Sequence, residues 1–481
     1  MRRPINLAYQ ANIWVSTCAQ RFRVPECVVN TLHALTPWLA ARLFDSAVTS
    51  SWQIFAPFAH LIGLVWETKW LSLQSEPARK VIQGTPDRAT IEMVRKLAAK
   101  DVTVHRTDVF VIGGGPAGLA AAIAARGKGF SVTVADGTHP PIDKACGEGL
   151  MPDTLAALGE LGVSVSPADG HPLSGVRFHG REHEASANFP GAPGIGMRRP
   201  LLHEKLIERA RACGVSLLWD TPVVGITEQG AELAGGLFPA KWIVGADGIG
   251  SRVRKLAGLE PSALNDCRYA VRRHYRMAPW SEFVEVYWSG SAQAYVTPVN
   301  QDTVCVVLMS RDRDTKFDSL ETQFPKLATR LKWATLANNE RGAVTVTRKL
   351  PRVYSGRAAL IGDASGSVDA ITGEGLSLAF RQAIALADSL EANDLSQYQR
   401  AHRRLAHRPS LMGRLMFLLA AHESLRERTL QAFRSDPRIL ARLLAVHIGA
   451  ESQARLAAAG ALLGWQLVAA KSLNPAKPEW A

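Results

Sequence analysis

Asp108 to Asp136 reads DVFVIGGGPAGLAAAIAARGKGFSVTVAD. Val109 to Ile112 is a short apolar run of the kind that forms a strand buried on both faces. The turn Gly113-Gly114-Gly115-Pro116-Ala117-Gly118 follows, and an Ala-rich run to Arg126 reads as a helix. Gly127 and Gly129 stop that helix, and Ser131 to Ala135 is a second strand ending at Asp136. The glycines play different parts. Gly113 allows the tight turn, Gly115 lets the backbone approach a pyrophosphate, and Gly118 lets helix and strand pack closely. Free N–H groups and the positive dipole end at the helix start hold phosphates. Asp136 stands where an acid accepts ribose hydroxyls. A G-x-G-x-x-G in this strand–helix–strand context predicts a dinucleotide-binding βαβ unit.

Outward from that unit, 481 residues allow two or three domains, and 47% hydrophobic with 21% charged residues is a globular composition. A net charge of +13 favours anionic surfaces. No nucleic-acid module and no basic patch interleaved with aromatics is present, so a membrane surface or plain solubility is preferred to nucleic acid. The six cysteines are scattered without a C-x-x-C pair, which suits a reducing cytoplasm better than disulfides or zinc. The N-terminus lacks a compact apolar core ahead of a cleavage site, so no secretory signal is expected.

Residues 1–104 read as a helical extension. Trp52 to Trp66 (WQIFAPFAHLIGLVW) is dense in apolar side chains, but its polar neighbours favour an interfacial or packed helix over a span. A tail packed on its own protein, or a true start at Met93, is the alternative. Gln83 to Thr90 reads as a linker and Ile91 to Lys100 as a short basic helix. Further on, Asp153 to Leu161 reads as a helix capped by Asp153, Gly175 to Phe189 as a hairpin, and Arg199 to Cys213 as an amphipathic helix closed by Gly214. Between Arg268 and Met309 four strands succeed one another without helices, which predicts an inserted antiparallel sheet. Leu320 to Ala337 reads as a helix and Val344 to Arg348 as a strand. Ala358 to Ile361 is a buried strand, and Ser377 to Glu391 a long helix. Beyond Ser396 the chain is helical and arginine-rich beside apolar faces such as Met412, Leu415, Met416 and Leu419, with a last apolar helix at Ala457 to Ala470.

Three motifs now stand in order: G-x-G-x-x-G at 113–118, G-A-D-G-I-G-S-R-V-R at 245–254, and A-L-I-G-D-A at 359–364. This order resembles the flavoprotein superfamily of p-hydroxybenzoate hydroxylase, the ubiquinone-pathway hydroxylases and the geranylgeranyl reductases, over about Thr107 to Asn393. The resemblance implies an α/β fold: a Rossmann-like FAD-binding domain at 105–395, with an inserted antiparallel β-sheet substrate domain at about 265–350. Helical N- and C-terminal extensions flank it, the latter at 396–481. It implies that Gly362 and Asp363 contact the ribityl and ribose region of FAD, and that Asp247 and Gly248 serve FAD and the nicotinamide reductant. It further implies that Arg199, three residues before Leu202, contacts the cofactor, and that Gly373, Gly375 and Leu376 face the isoalloxazine and pyrophosphate. On the residues alone, Asp247 is also a turn-forming Asp-Gly and Asp363 a helix cap.

Only one dinucleotide fingerprint is present, so a reductant must visit the flavin transiently or deliver electrons through a partner, and the resemblance implies the former, with NADH or NADPH. Cys146-Gly147-Glu148-Gly149 looks like the Cys-Gly-Gly segment of geranylgeranyl reductases, which makes Cys146 the candidate catalytic residue; a small buried cysteine is the plainer reading. Gly375 to Arg381 leans towards the ubiquinone-type hydroxylases, and the halogenase W-x-W-x-I-P signature is absent. The implied activity is monooxygenation of an apolar or lipid-like aromatic (a phenol, quinol or polyketide). Alternatives are reduction of C=C bonds in an isoprenoid or lipid, or flavin or lipid binding without catalysis. Tyr295, Arg272 and His274 lie on the inserted sheet, with core or surface roles expected. No metal ligand set is expected, and the oligomeric state stays open. The arginines between Arg400 and Arg442 add an expected contact with an anionic membrane, at the inner face in a cytoplasmic protein, with a helical cap packed on the flavin domain and its arginines in water as the equal alternative.

Overall fold

A computed structural model describes residues 106–261, 267–290, 292–313, 316–368 and 370–452. The expected features of residues 1–104 and the helix at 457–470 lie outside the described residues. In chain order the main strands are β1 (Thr107–Ile112), β2 (Val132–Ala135), β3 (Gly175–His179), β4 (Glu184–Asn188), β5 (Ser216–Leu218) and β6 (Gly236–Gly245). They continue with β7 (Cys267–Arg276), β8 (Phe283–Ser289), β9 (Ala292–Pro298), β10 (Thr303–Ser310), β11 (Arg341–Val346) and β12 (Ala358–Leu360). The main helices are α1 (Pro116–Gly127), α2 (Pro152–Glu160), α3 (Arg199–Ala212), α4 (Gly375–Glu391), α5 (Leu395–Ala421), α6 (Glu423–Ser435) and α7 (Pro437–His447).

The first sheet runs β12-β6-β1-β2-β5, with every neighbouring pair parallel. Val109 to Ile112 are buried throughout, as expected of a parallel strand covered on both faces. α1 packs on β1 and β2 and against α3 and α4. Its alanines permit that proximity, and Gly118 requires it: a Cβ there would fall 1.8 Å from the Gly113 carbonyl oxygen.

The second sheet runs β7-β10-β9-β8-β3-β4, with β11 also paired to β7. Its period-2 alternation divides the side chains between two cores. Val286, Trp288, Tyr295 and Val307 face one core, which α6 and α7 close. Tyr287, Ala294, Val296 and Leu308 face the other, covered by Phe317 to Leu331.

Several expectations change. The hairpin 175–188 joins this sheet, with β3 parallel to β8 (Phe283 opposite Gly175), so the insert draws on chain well before residue 265. The helix expected at 320–337 divides into Leu320–Gln323 and Pro325–Leu331, because Phe324 leaves helical geometry (φ −133°, ψ 62°) and Pro325 opens a new helix. Asp153 does not cap α2; the residue ahead of that helix is Met151, and Asp153 is buried in its first turn. The apolar stripes of the arginine-rich C-terminal helices turn inward: Met412, Leu419, Leu440 and Leu443 are buried. Arg426 is itself 2% exposed, donates to the Leu419 carbonyl at 3.1 Å and lies over the Trp288 ring. Among the described residues no helix is long and apolar enough to cross a membrane.

Candidate functional site

A cavity of about 880 Å³ lies between the carboxyl ends of the parallel strands and the inner face of the second sheet. The carboxyl edge is where open α/β sheets bind ligands. The volume is near the top of the usual range for ligand sites. Gly113, Gly115, Asp136, Cys146, Arg199, Asp247, Gly248, Gly362, Asp363, Gly373, Gly375 and Leu376 all line it, so one space unites motifs up to 263 positions apart (376 − 113). Gly118 stands behind the loop, against Gly113.

The glycine loop is fixed from several sides. Gly113 has φ 111°, and a Cβ there would meet the Ala246 carbonyl oxygen at 2.4 Å. Asp136 accepts the Gly114 N–H at 2.7 Å through one oxygen, and the Thr138 N–H and hydroxyl through the other. Its carboxylate therefore braces the loop, with lone pairs left for a ligand hydroxyl. His203, one turn along α3 from Arg199, receives the Ile142 N–H on Nδ1 at 3.3 Å and gives Nε2–H to the Gly114 carbonyl at 2.8 Å. Burial pushes this imidazole below its ordinary range, in keeping with one neutral tautomer.

Gly115 differs from its neighbours. A Cβ placed on it meets nothing within 4 Å, although the residue lines the cavity. The space over it is free for a ligand to approach the backbone. α1 and α4 both begin at the cavity with no side-chain cap and no acid in the first turn. Two helix N-termini with free donors suit the pyrophosphate of FAD and the charge of its reduced ring.

The two aspartates of the later motifs have partners within the chain. Asp247 accepts from the Ser251 hydroxyl at 2.5 Å and from the N–H groups of Arg252 and Val253, so it caps the short helix at 252–256 while lining the cavity. Asp363 meets Lys144 Nζ at 3.3 Å rather than a hydroxyl. Gly362 just ahead of it adopts φ 58° and donates to Gln382.

Around Cys146 the chain is tied to the inserted sheet. Glu148, with φ 60° and no exposed side-chain surface, accepts from Arg272 at 3.1 Å, pairs with His274 Nε2 at 2.6 Å, and takes the Arg199 N–H at 3.0 Å. Arg272 also grips Asp143 with both terminal nitrogens. Burial opposes ionisation of Asp143, but the Arg272 guanidinium outweighs it and lowers that carboxyl. Cys146 Sγ accepts the Glu148 N–H at 3.4 Å, and the Cys305 thiol, pushed well up by burial, points at the Cys146 carbonyl. Glu148, His274 and Cys305 bring donor atoms within 4.8 Å of one another. The guanidiniums of Arg272 and Arg198 flank the carboxylate, and a cation there would compete with both. Arg272 and His274 thus anchor the Cys146 loop, whereas Tyr295 lines the cavity directly.

The far end of the cavity is apolar. Phe178 stacks on Trp288 at 5.2 Å between centroids, and Met416, Phe433 and Leu444 complete the wall. Sequence reasoning did not single out Glu148, His203, Lys144 or these C-terminal side chains as site residues. A charged residue inside the Gly-rich run 147–149, and a histidine four positions after Arg199, were the available signals.

A glycine-loop βαβ unit, a capped Asp-Gly turn and a Gly-Asp strand end on one cavity define a flavoprotein of the dinucleotide-binding kind. The chain matches the FAD binding domain family over residues 106–397, and it belongs to that family. It is 31% identical over 305 residues to a Rhodococcus erythropolis protein provisionally named a 2-heptyl-3-hydroxy-4(1H)-quinolone synthase, covering 59% of this chain and 79% of the relative. It is 26% identical over 328 residues to menaquinone reductase of Mycolicibacterium smegmatis, covering 62% and 79%. A flavoprotein/dehydrogenase of Cytophaga hutchinsonii shares the fold, with a TM-score of 0.63 at 19% identity over 72% of this chain and 93% of that one. Other relatives are named as monooxygenases and as digeranylgeranylglycerophospholipid reductases. The chain is an FAD-dependent oxidoreductase.

Proposed function

We propose that this oxidoreductase is a monooxygenase that takes electrons from NADH or NADPH and hydroxylates an apolar aromatic of phenol, quinol or polyketide type. The observation that carries this reading is the continuity of the cavity, with a backbone-lined end for FAD and an end walled by Phe178, Trp288 and aliphatic side chains. Bound and reduced, FAD supplies the electrons for activating dioxygen or saturating a double bond. The chain supplies the surroundings. Gly115 and the starts of α1 and α4 would hold the phosphates and offset negative charge, while Arg199 and Lys144 add positive charge on the same wall. The apolar end orients a flat substrate and keeps water from it.

A second reading rests on Cys146, whose thiol-bearing residue lines the same cavity. In a reductase of C=C bonds it would supply the proton. Assay with NADPH and a candidate quinol in air and under argon separates the two. Hydroxylated product that forms only with O₂ supports the monooxygenase, and saturated product under argon overturns it. Cys146→Ser should leave hydroxylation largely intact and should slow alkene reduction. Any contact with an anionic bilayer would fall to the exposed arginines Arg403, Arg404 and Arg414 beside the exposed Leu411 and Leu418. Flotation with anionic liposomes at low and high salt tests it, and no binding at low salt removes it.

A further inference from the structure

The turn ahead of α4 carries a buried charge cluster. Glu374 is 3% exposed and precedes Gly375 directly. Its carboxylate meets Arg408 Nη2 of α5 at 3.4 Å and faces His447 Nδ1 of α7 at 3.5 Å. Neither Glu374 Oε2 nor His447 Nδ1 has a closer partner among the described residues. The other His447 nitrogen is 3.0 Å from the Thr372 carbonyl, in the same turn. Arg408 also lies 3.5 Å from Asp153, a second buried acid, which accepts from the Ser377 hydroxyl at 2.6 Å and has Arg381 at 3.9 Å. The charged and titratable groups facing Glu374 are therefore Arg408, His447 and Asp153, with Arg381 beyond. Burial is the largest influence on Glu374 and raises its carboxyl.

Two buried carboxylates behind a helix start are costly unless cations meet them. Here the guanidinium of Arg408 comes from α5 and the imidazole of His447 from α7, and both residues lie beyond the family match, which ends at residue 397. Gly373, Gly375, Leu376 and His447 all line the cavity. Negative charge developing at the start of α4 would feel whatever charge stands behind the turn.

We propose that Arg408 and His447 are positioning residues for the cofactor: by holding Glu374 and Thr372 they fix the turn before α4, and Arg408 balances the charge behind it. The proposal rests on that turn facing the redox-active ring, as the family resemblance implies. Removing Arg408 leaves negative charge behind the turn and disfavours the reduced, anionic ring. Removing the Glu374 charge does the reverse. A residue that only stabilised the fold would not give shifts of opposite sign.

The test uses the full chain loaded with FAD and measures cofactor stoichiometry, dissociation constant and midpoint potential. Arg408→Met should move the potential to more negative values, Glu374→Gln to more positive values, and the double variant back towards wild type. His447→Leu should weaken FAD binding about fivefold, the loss of one hydrogen bond, with His447→Gln restoring most of it by donating to Thr372. Shifts of the same sign, or no shift with FAD bound one to one, would overturn the clamp. Should Arg408→Met fail to fold, Arg408→Lys is expected to stay near wild type while Glu374→Gln still raises the potential, and an unchanged potential in Glu374→Gln overturns the proposal. Wild-type protein that takes up no FAD would overturn the cofactor reading along with the clamp, a result distinct from normal binding with unmoved potentials.

Discussion

The two ends of the cavity are made of different material. At one end the wall is backbone: Gly113, Gly115, Gly362, Gly373 and Gly375, held in three short stretches of chain. At the other end it is side chain: Val176, Trp288, Met416 and Leu444, gathered from segments that share no local pattern. A wall that must bring backbone against a ligand, or hold a turn with positive φ, leaves no place for a side chain, so it dictates residue type at fixed spacing. An apolar wall asks only for bulk and hydrophobicity, which many residues satisfy.

The contrast can be broken most sharply at Gly118 and Gly115. A side chain on Gly118 would enter the Gly113 carbonyl, at 1.8 Å, so Gly118→Val should cost more than about 4 kcal/mol and yield little folded protein. Gly115 has φ −70° and ψ 176° and no protein atom within reach of a Cβ, so Gly115→Val should fold normally and lose FAD. Circular dichroism and the flavin absorbance of each purified variant decide. A normal flavin spectrum in folded Gly115→Val would remove that loop from the cofactor site.

The inserted sheet should be the acid-sensitive end. Burial opposes ionisation of Glu285, but the surrounding His179, Tyr287 and Trp280 side chains outweigh it and hold the carboxyl at about 2, against an ordinary 4.5. A depressed carboxyl contributes stability that is complete above pH 4.5 and lost as pH falls towards 2, here roughly 3 kcal/mol. Urea unfolding between pH 6 and pH 3 should show the loss. Glu285→Gln should flatten that limb, and an unchanged slope would assign the acid response elsewhere.

At the cofactor end, Asp363→Ala should weaken FAD about tenfold or more, the scale of one charge-assisted hydrogen bond. Asp318→Ala, on an exposed acid, should leave it unchanged, and equal constants for the two would take the Gly-Asp motif out of the site. The smallest effect belongs to the apolar wall. Met416→Gln should raise KM for an apolar substrate severalfold, roughly 1 kcal/mol, with FAD affinity unaltered. A parallel loss of FAD would show that the two ends are not separable.

The same difference governs what could be read from the chain beforehand. β7 to β10 occupy Cys267 to Ser310, within a residue of the expected run from Arg268 to Met309, because alternation and turn residues are local signals. The glycine motifs were legible for the reason given above. Asp153 was not: an acid before an apolar run looks like a cap, and only the approach of Ser377, Arg381 and Arg408 makes it a buried counter-charge. Glu148 likewise depends on Arg272 and His274, more than a hundred positions away, for its role. The inward turn of α5 to α7 stood level with a membrane face, because an amphipathic stripe does not say what covers it.

β3 lies beside β8, and the wall opposite the glycine loop arrives only with α7. Contacts so distant along the polymer carry a large loop-closure entropy and place this topology among slow folders. Until the last helices dock, Trp288, Val286 and Val307 present an oily trough to solvent beside a glycine loop that forms within its own βαβ segment. During synthesis the chain is therefore sticky for as long as α6 and α7 are still to come, and a helper that shields hydrophobic surface would act on that trough.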